Sequence, residues 1–570
     1  MIERMTKYSW VLLSSGKEAF LENLRELGVV DITRSSKPVD KRSASMLEAI
    51  EQKRELVRCL EKGEDARLIE LRSELSALKA QLRDTAPWGN YDKEKLSVFG
   101  VHYYCVPEKK FVPSLAEEYP LMEVCRQDGK VWFVVLGDNL PSAFKELPAP
   151  SLSLSQLEER ISAKTAEIEA WSASLLKRKE EIPSIEQSIA KESSDLSLYL
   201  ASLEGSSAAD ESLCIYEGFA PSECDGSLRK AFDEMDGVLC LSQEAASKDN
   251  PPIKLRNNKF VKMFEVLTDM YGRPSYDSFD PTVFISIFFL LFFAMCMGDA
   301  GYGIVLVIAG LLLKKIPSFR SMAPLVSTLG VATIVVGFVF HTFFSIDFST
   351  WECIPGWMHK LFVPAKIAGF DGTMIVAILV GIVHLCLAML VKTWNATRNK
   401  GFLESLSVWG WTLLIVGGVA VGALALAGAI SSQVTKIVII VIGCLSALGI
   451  FLFNNIHRNP LINIGSGLWE TYNTATGLLG DVLSYLRLYA LGLAGAMLGF
   501  AFNNLAVMAL GDGAVLNWIF FVLIVVVGHT LNLAMAALGA FVHPLRLNFL
   551  EFFKNSGYEA NGKKYNPLTK

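Results

Sequence analysis

Three long stretches of the chain, Pro281 to Gly298, Ser405 to Gln433 and Gly513 to Leu545, contain no charged residue. About 20 apolar helical residues cross the ~30 Å hydrocarbon layer of a bilayer, so runs of this kind predict membrane helices. Charge locates the boundary. Residues 1–280 carry 37 Lys and Arg against 48 Asp and Glu, a net of −11, whereas residues 281–570 carry 16 against 10, a net of +6. The averages of 51% hydrophobic residues and net charge −5 therefore conceal two unlike halves.

The opening MIERMTKYSW has charges at Glu3, Arg4 and Lys7 and no apolar h-region, so no secretory signal is expected and the first half should stay where it is made. Cys59, Cys105, Cys125, Cys214, Cys224 and Cys240 lack CxxC or Cys/His metal spacing. That pattern suits reduced thiols, with no disulfide, metal or cofactor expected. No nucleic-acid partner is expected either.

The first 280 residues are predicted to form an α+β cytosolic domain with α/β lobes near 1–40, 95–145 and 212–245. In the first lobe a short strand leads to a helix with Phe20, Leu21, Leu24 and Leu27 on one side, then to a strand at Val29 to Ile32. Two long polar segments, near 41–86 and 152–206, are predicted to be antiparallel coiled-coil hairpin arms. Leu68, Leu71, Leu75, Leu78 and Leu82 step by threes and fours. In the second arm every seventh residue from Leu154 to Leu203 is aliphatic. Pro183 should bend that arm. Such arms read either as a dimerisation stalk or as a strut that docks on a partner; two arms within one chain, flanked by lobes, favour the strut.

Residues 281–570 are predicted to be an all-α polytopic membrane domain of eight helices, near 281–298, 300–314, 322–345, 373–394, 404–430, 436–455, 462–510 and 514–553. An even number returns the C-terminus to the cytosol, where the N-terminus also lies. Lys314, Lys315, Arg320, Lys392, Arg398, Lys400, Arg458, Lys554, Lys563, Lys564 and Lys570 then fall on the cytosolic side, and only Lys360, Lys366 and Lys436 outside. The last two helices greatly exceed a perpendicular crossing and must tilt, break or project.

Arg487 and Arg546 remain within the bilayer. An intramembrane arginine normally faces protein or water, because exposure to lipid at the bilayer centre costs ~2.5–3.5 kcal/mol on insertion scales. Asp481, six residues from Arg487, is not its same-face partner. The Arg487 face also carries Gly480, Ser484, Ala490, Ala494 and Ala501, and Gly492, Gly495 and Gly499 adjoin it. Small residues permit close approach of a helix, either from this chain or from a partner that slides past. Near Arg546 lie His543, Pro544 and Glu551. Glu470, Asp481 and Ser484 on one side of Arg487, and His529 and Asn532 on the other, are candidates for two half-channels. Each alone could be an ordinary helix-packing group.

The segments "SYLRLYALGLAGAML" (484–498), "HPLRLNFLEFFKNSGYEANGKKYNPL" (543–568), "PPIKLRNNKFVKMFEVLTDMYGRPSYDSFDPT" (251–282) and "FFAMCMGDAGYG" (292–303) resemble the large membrane subunit of rotary V/A-type ATPases, subunit I in bacteria and archaea and subunit a in eukaryotes. With the hairpin arms the resemblance covers nearly the whole chain. It implies that Arg487 is the arginine that makes carboxylates of a proteolipid rotor ring (c/K-type subunits) release their ions, with Arg546 the second. It also implies that the soluble lobes and arms clasp peripheral stalks (E and G type subunits), while the central stalk and soluble ATPase sector of the same complex supply the nucleotide chemistry. The resemblance leaves H⁺ and Na⁺ equally open. In the eukaryotic form outer half-channel groups include a His eight residues after the first Arg and a Glu ten before the second; here those positions are Gly495 and Ala536, and the short chain looks bacterial. "GYEANGKK" (557–564) nearly fits a phosphate-binding loop, but Lys564 replaces the hydroxyl that would hold magnesium and a membrane helix precedes it, so no ATP site is expected. The competing readings are a secondary transporter, which should show repeated halves with broken helices, and a membrane scaffold with a regulatory coiled coil.

Overall fold

The computed structural model of the chain describes residues 2–34, 39–90, 100–108, 111, 120–127, 129–137, 146–147, 152–208, 212–316, 319–349, 361–364, 366–367, 369–453, 460–511 and 515–569. Lys360, Arg458 and Lys570, which the topology argument uses, lie outside them. The chain divides into two compact units, Leu12–Tyr216 with Leu568–Lys570, and Met1–Val11 with Glu217–Pro567. The borders fall inside two strands, Met5–Leu13 and Leu213–Pro221, of a five-stranded sheet ordered Asp31–Ile32, Leu213–Pro221, Met5–Leu13, Val238–Glu244, with Ser206–Ala208 antiparallel on Leu213–Pro221.

In the first unit the helix Lys17–Leu27 buries Phe20, Leu21 and Leu24 and ends at Gly28, whose φ of 64° suits only a residue without a side chain. Each long polar segment folds as two helices. Lys41–Lys62 and Ala66–Thr85 are separated by Gly63, at φ 67°. Leu154–Arg178 and Ile182–Leu203 are separated by one tight turn. Pro183 sits in the first turn of its helix, where a missing N–H costs nothing, so it marks a start and not a bend in mid-helix. The helices pair antiparallel. Ile50 packs with Leu196 and Leu200 in one pair, and Leu60 and Leu68 pack with Leu175 where the two breaks meet. Cross-pair contacts such as Trp171 Nε1 to Asp65 (3.1 Å) and Lys164 Nζ to Glu74 (2.8 Å) fix the second register. Between the arms in sequence lies a four-stranded antiparallel sheet ordered Leu121–Gln127, Lys130–Leu136, Val101–Pro107, Glu146–Leu147.

Among the described residues of the second unit five helices are long and apolar enough to cross a membrane: Gly372–Lys400, Leu406–Leu426, Ser432–Leu452, Ile462–Leu510 and Asn517–Ser556. Three shorter apolar helices precede them, Thr282–Met297, Ala300–Leu313 and Ala323–Val339. The reason they are short is local. Gly298, at φ 56°, ends the first, and Asp299 caps the second by accepting from the Gly301 and Tyr302 N–H groups at 2.8 and 3.2 Å. The third stops at Val339, short of the expected 345, because Thr342–Phe343 and Ile346–Asp347 form a hairpin. The 51-residue helix Pro460–Leu510 would be about 75 Å long if straight. It packs against Val515–Arg546 and against the phenylalanine-rich helix Thr282–Met297, whose Phe289, Phe292 and Phe293 centre the core with Tyr485, Leu488 and Phe552.

The segments 251–275 and 557–567 close on each other. Ile253 N–H donates to the Lys563 carbonyl (2.7 Å), Gly562 N–H to Arg273 (3.0 Å) and Ser275 N–H to Glu559 (3.1 Å). The near-match to a phosphate loop is thus a strapped tail. A Cβ on Gly562 would stand 2.0 Å from the Pro274 carbonyl oxygen. We expect Gly562→Ala to loosen this strap, seen as faster proteolytic cleavage after residue 556 than in the parent protein. In the first unit Asp40 accepts from Ser43 N–H (2.8 Å) and from the Tyr199 hydroxyl (2.6 Å). Hydrogen bonding to Ser43, then Tyr199, holds its carboxyl at about 2, below the ordinary 3.8. A depressed acid stabilises the fold above its ordinary value and ceases to do so as pH falls through the folded one. Helix-arm unfolding should therefore show a component between pH 3.8 and about 2 that Asp40→Asn removes.

Candidate functional site

The antiparallel packing of the last two long helices brings the two arginines to one place. Leu491 reaches toward Gly539, so Arg487, one turn earlier, comes beside His543, one turn later. His543 lies within electrostatic reach of both Arg487 and Arg546. Arg487 is half-buried: its Nη1 is enclosed and has no hydrogen-bond partner, and it makes no ion pair among the described residues. Arg546 is exposed along the adjoining helix. Glu551, about one and a half turns after it, is buried and leaves Oε2 without a hydrogen-bond partner among the described residues, while the Ser484 hydroxyl donates to the Gly480 carbonyl at 3.1 Å. Glu551 projects from a π-helical turn, Leu547–Phe552, following Pro544. Such turns insert a residue and re-aim side chains.

Asp481 is committed elsewhere. It accepts from Asn555 Nδ2 at 2.8 Å and stands 3.5 Å from Lys554 Nζ. Glu470 lies three turns further down the helix, half-buried. On the opposite side of Arg487, His529 and Asn532 belong to one closed network. The Tyr302 hydroxyl contacts His529 Nδ1 at 2.8 Å, His529 Nε2 contacts Asn503 Oδ1 at 2.9 Å, and Asn532 Nδ2 donates to Tyr302 and to the Gly495 carbonyl, each at 2.8 Å. Asp299 organises its edge by accepting from the Phe344 and Ser345 N–H groups at 2.9 and 2.5 Å. The candidates thus separate into a cluster at the arginines (Arg487, Arg546, His543, Ser484, Glu551), Asp481 with its own cation, and a distant pair locked by Tyr302.

The small residues also divide. Gly492 faces the Met295 carbonyl, and Gly499 is filled by Ser345 and Asn532, so this stripe packs within the chain. Gly480, Ala490, Ala494 and Ala501 are exposed. On the other face of the same helix from Arg487 lies a cavity of about 330 Å³ whose wall includes Leu488, Tyr489, Gly492, His341 and Asp371. Tyr489 donates its hydroxyl to Asp371 at 2.9 Å.

Sequence reasoning missed Asp371, Tyr302 and the buried His384–Tyr485 pair, 2.9 Å apart. Asp299 offered a signal, an acidic residue directly before an apolar helix, which is an N-cap pattern. The 118 residues between Asp371 and Tyr489 offered none.

A chain with an α+β first region, five helices able to cross a membrane and an arginine pair on adjoining long helices defines a multi-helix membrane-protein class. Residues 153–360 and 474–570, more than half of the chain and including both arginines, match the V-type ATPase 116kDa subunit family, and the chain belongs to that family. It is similar to A-type ATP synthase subunit I of Methanocaldococcus jannaschii, 30% identical over 62% of this chain and 54% of that one. It is 28% identical to V-type ATP synthase subunit I 1 of Treponema pallidum, over 88% and 84% of the two chains. V-type ATP synthase subunit I of Borreliella burgdorferi is 23% identical over the full length of both. The chain spans about half the length of the archaeal relative and most or all of the two spirochaete ones.

Asp299 gathers four backbone N–H groups, and its removal would strand buried donors at ~1–3 kcal/mol each. We expect Asp299→Ala to lower thermal stability sharply, with Asp299→Asn intermediate, by melting of the detergent-purified protein.

Proposed function

We propose that this chain is the stationary membrane subunit of a rotary V/A-type ATPase. It couples rotation of a proteolipid ring to H⁺ or Na⁺ translocation and is held in place by peripheral stalks that grip its soluble lobes and helical arms. The eight apolar helices serve as eight spans, with both termini in the cytosol. The single observation that carries this reading is Arg487. Its guanidinium has no fixed counter-charge among the described residues and sits on a face that exposes the small Gly480, Ala490, Ala494 and Ala501, with Leu483 and Leu505 the larger side chains on it. A charge left uncompensated at membrane depth needs a partner. A neighbour that presents one carboxylate after another would supply it in turn and would slide over small side chains.

His543 and Arg546 position the guanidinium, and Glu551 with Ser484 faces the ion path on the Asp481 side. On the other side, the Asp371–Tyr489 cavity serves as the water-filled approach in place of His529 and Asn532, whose hydrogen bonds are internal. ATP is hydrolysed or made by the soluble sector of the complex.

Arg487→Ala should abolish ATP-driven ion pumping by the assembled complex in vesicles while the subunits still co-purify; intact pumping in that variant refutes the role. Arg546→Ala should impair pumping or assembly. Asp371→Asn should slow pumping and alter its dependence on external ion concentration without affecting assembly; an unchanged profile removes the cavity from the path.

A further inference from the structure

We propose that the second unit carries a binding site for the headgroup of an anionic phospholipid, formed where the strapped C-terminal tail meets the end of the helix Gly372–Lys400. The site is a cavity of about 550 Å³. Lys392 and Lys400 reach it from the last three turns of that helix, and Lys563 from the tail. None of the three makes an ion pair among the described residues. Asn395 and Asn399 line it from the same helix, whose C-terminal carbonyls favour the cations there.

The two carboxylates in the wall are outnumbered. Asp277 is engaged by the Ser247 hydroxyl, and Glu559 is fixed through its backbone to Ser275. Ser278, nine-tenths buried, also lines the cavity, and its hydroxyl has no hydrogen-bond partner among the described residues. An unsatisfied buried hydroxyl beside three unpaired ammonium groups is what a phosphate oxygen would complete.

The neighbourhood says where the phosphate comes from. Trp394, two residues after Lys392, is 76% exposed, and Phe402, Leu403 and Trp409 at the same corner are also exposed. Tryptophans and lysines together at one end of an apolar helix mark the level of lipid headgroups. Trp394, Phe402, Leu403 and Trp409 do not line the cavity; they set its depth at the level of the headgroups, which a free phosphate does not require. The cavity is separate from the arginine cluster, and the inference does not rest on the transport reading.

The test uses the full chain purified in mild detergent and exchanged into nanodiscs of phosphatidylcholine with or without phosphatidylglycerol. Retained lipid is counted by native mass spectrometry. Each lysine near an anionic surface contributes about a fivefold factor in affinity, so Lys392→Gln with Lys400→Gln and Lys563→Gln should weaken phosphatidylglycerol retention by about a hundredfold. The same three positions changed to Arg should retain it, and Lys314→Gln with Lys315→Gln, at another helix end, should leave it unchanged. Equal retention by the parent and the triple Gln variant overturns the site, as does equal retention of phosphatidylcholine. Displacement of phosphatidylglycerol by inorganic phosphate at matched concentration assigns the cavity to a free phosphate and overturns the lipid.

Discussion

A guanidinium within a helix able to cross a membrane, with no fixed carboxylate among the described residues, is the constraint on which the rest of the second unit depends. Exposure to hydrocarbon would cost several kcal/mol, and the structure meets this by half-burying Arg487 between two long helices rather than by pairing it. Of the nearby carboxylates, Asp481 is committed to Lys554 and Asn555, and Glu551 forms no ion pair with it among the described residues. What remains is a charge held by packing, beside His543 and within a turn of an exposed small-residue face. Packing of this kind requires rigid neighbours, and the phenylalanine core against Tyr485 and Leu488 supplies them.

The glycines show how one helix serves two surfaces. A stripe facing inward, Gly492 and Gly499, lets the helix approach the Met295 carbonyl and the Ser345–Asn532 corner. The outward positions, Gly480, Ala490, Ala494 and Ala501, remain uncovered. Sequence left two readings of the small residues open, internal packing and a sliding face; the inward side packs within the chain and the outward side is exposed. The polar networks follow the same division. His529 and Asn532 are hydrogen-bonded to Tyr302 and Asn503 within the second unit. Asp371 with Tyr489 lines a cavity on the face of that helix away from Arg487.

Sequence by itself determined the division into an acidic α+β region and an apolar helical region, the long helices, the family, and the pair of arginines. Each follows from composition, from a short-range period or from a contiguous motif, and such signals survive without knowledge of the fold. The heptad spacing placed the helical arms but not their breaks, because Gly63 and the 179–181 turn depend on where the two arms meet. Tertiary structure alone decided what each charged group touches. Asp371 and Tyr489 are 118 residues apart, and Tyr302 and His529 are 227 apart. It also decided that three apolar segments are short helices ended by Gly298, Asp299 and a hairpin. The physical reason is that hydropathy reports the solvent a segment prefers, whereas hydrogen-bond partners and counter-charges are set by which distant segments pack together.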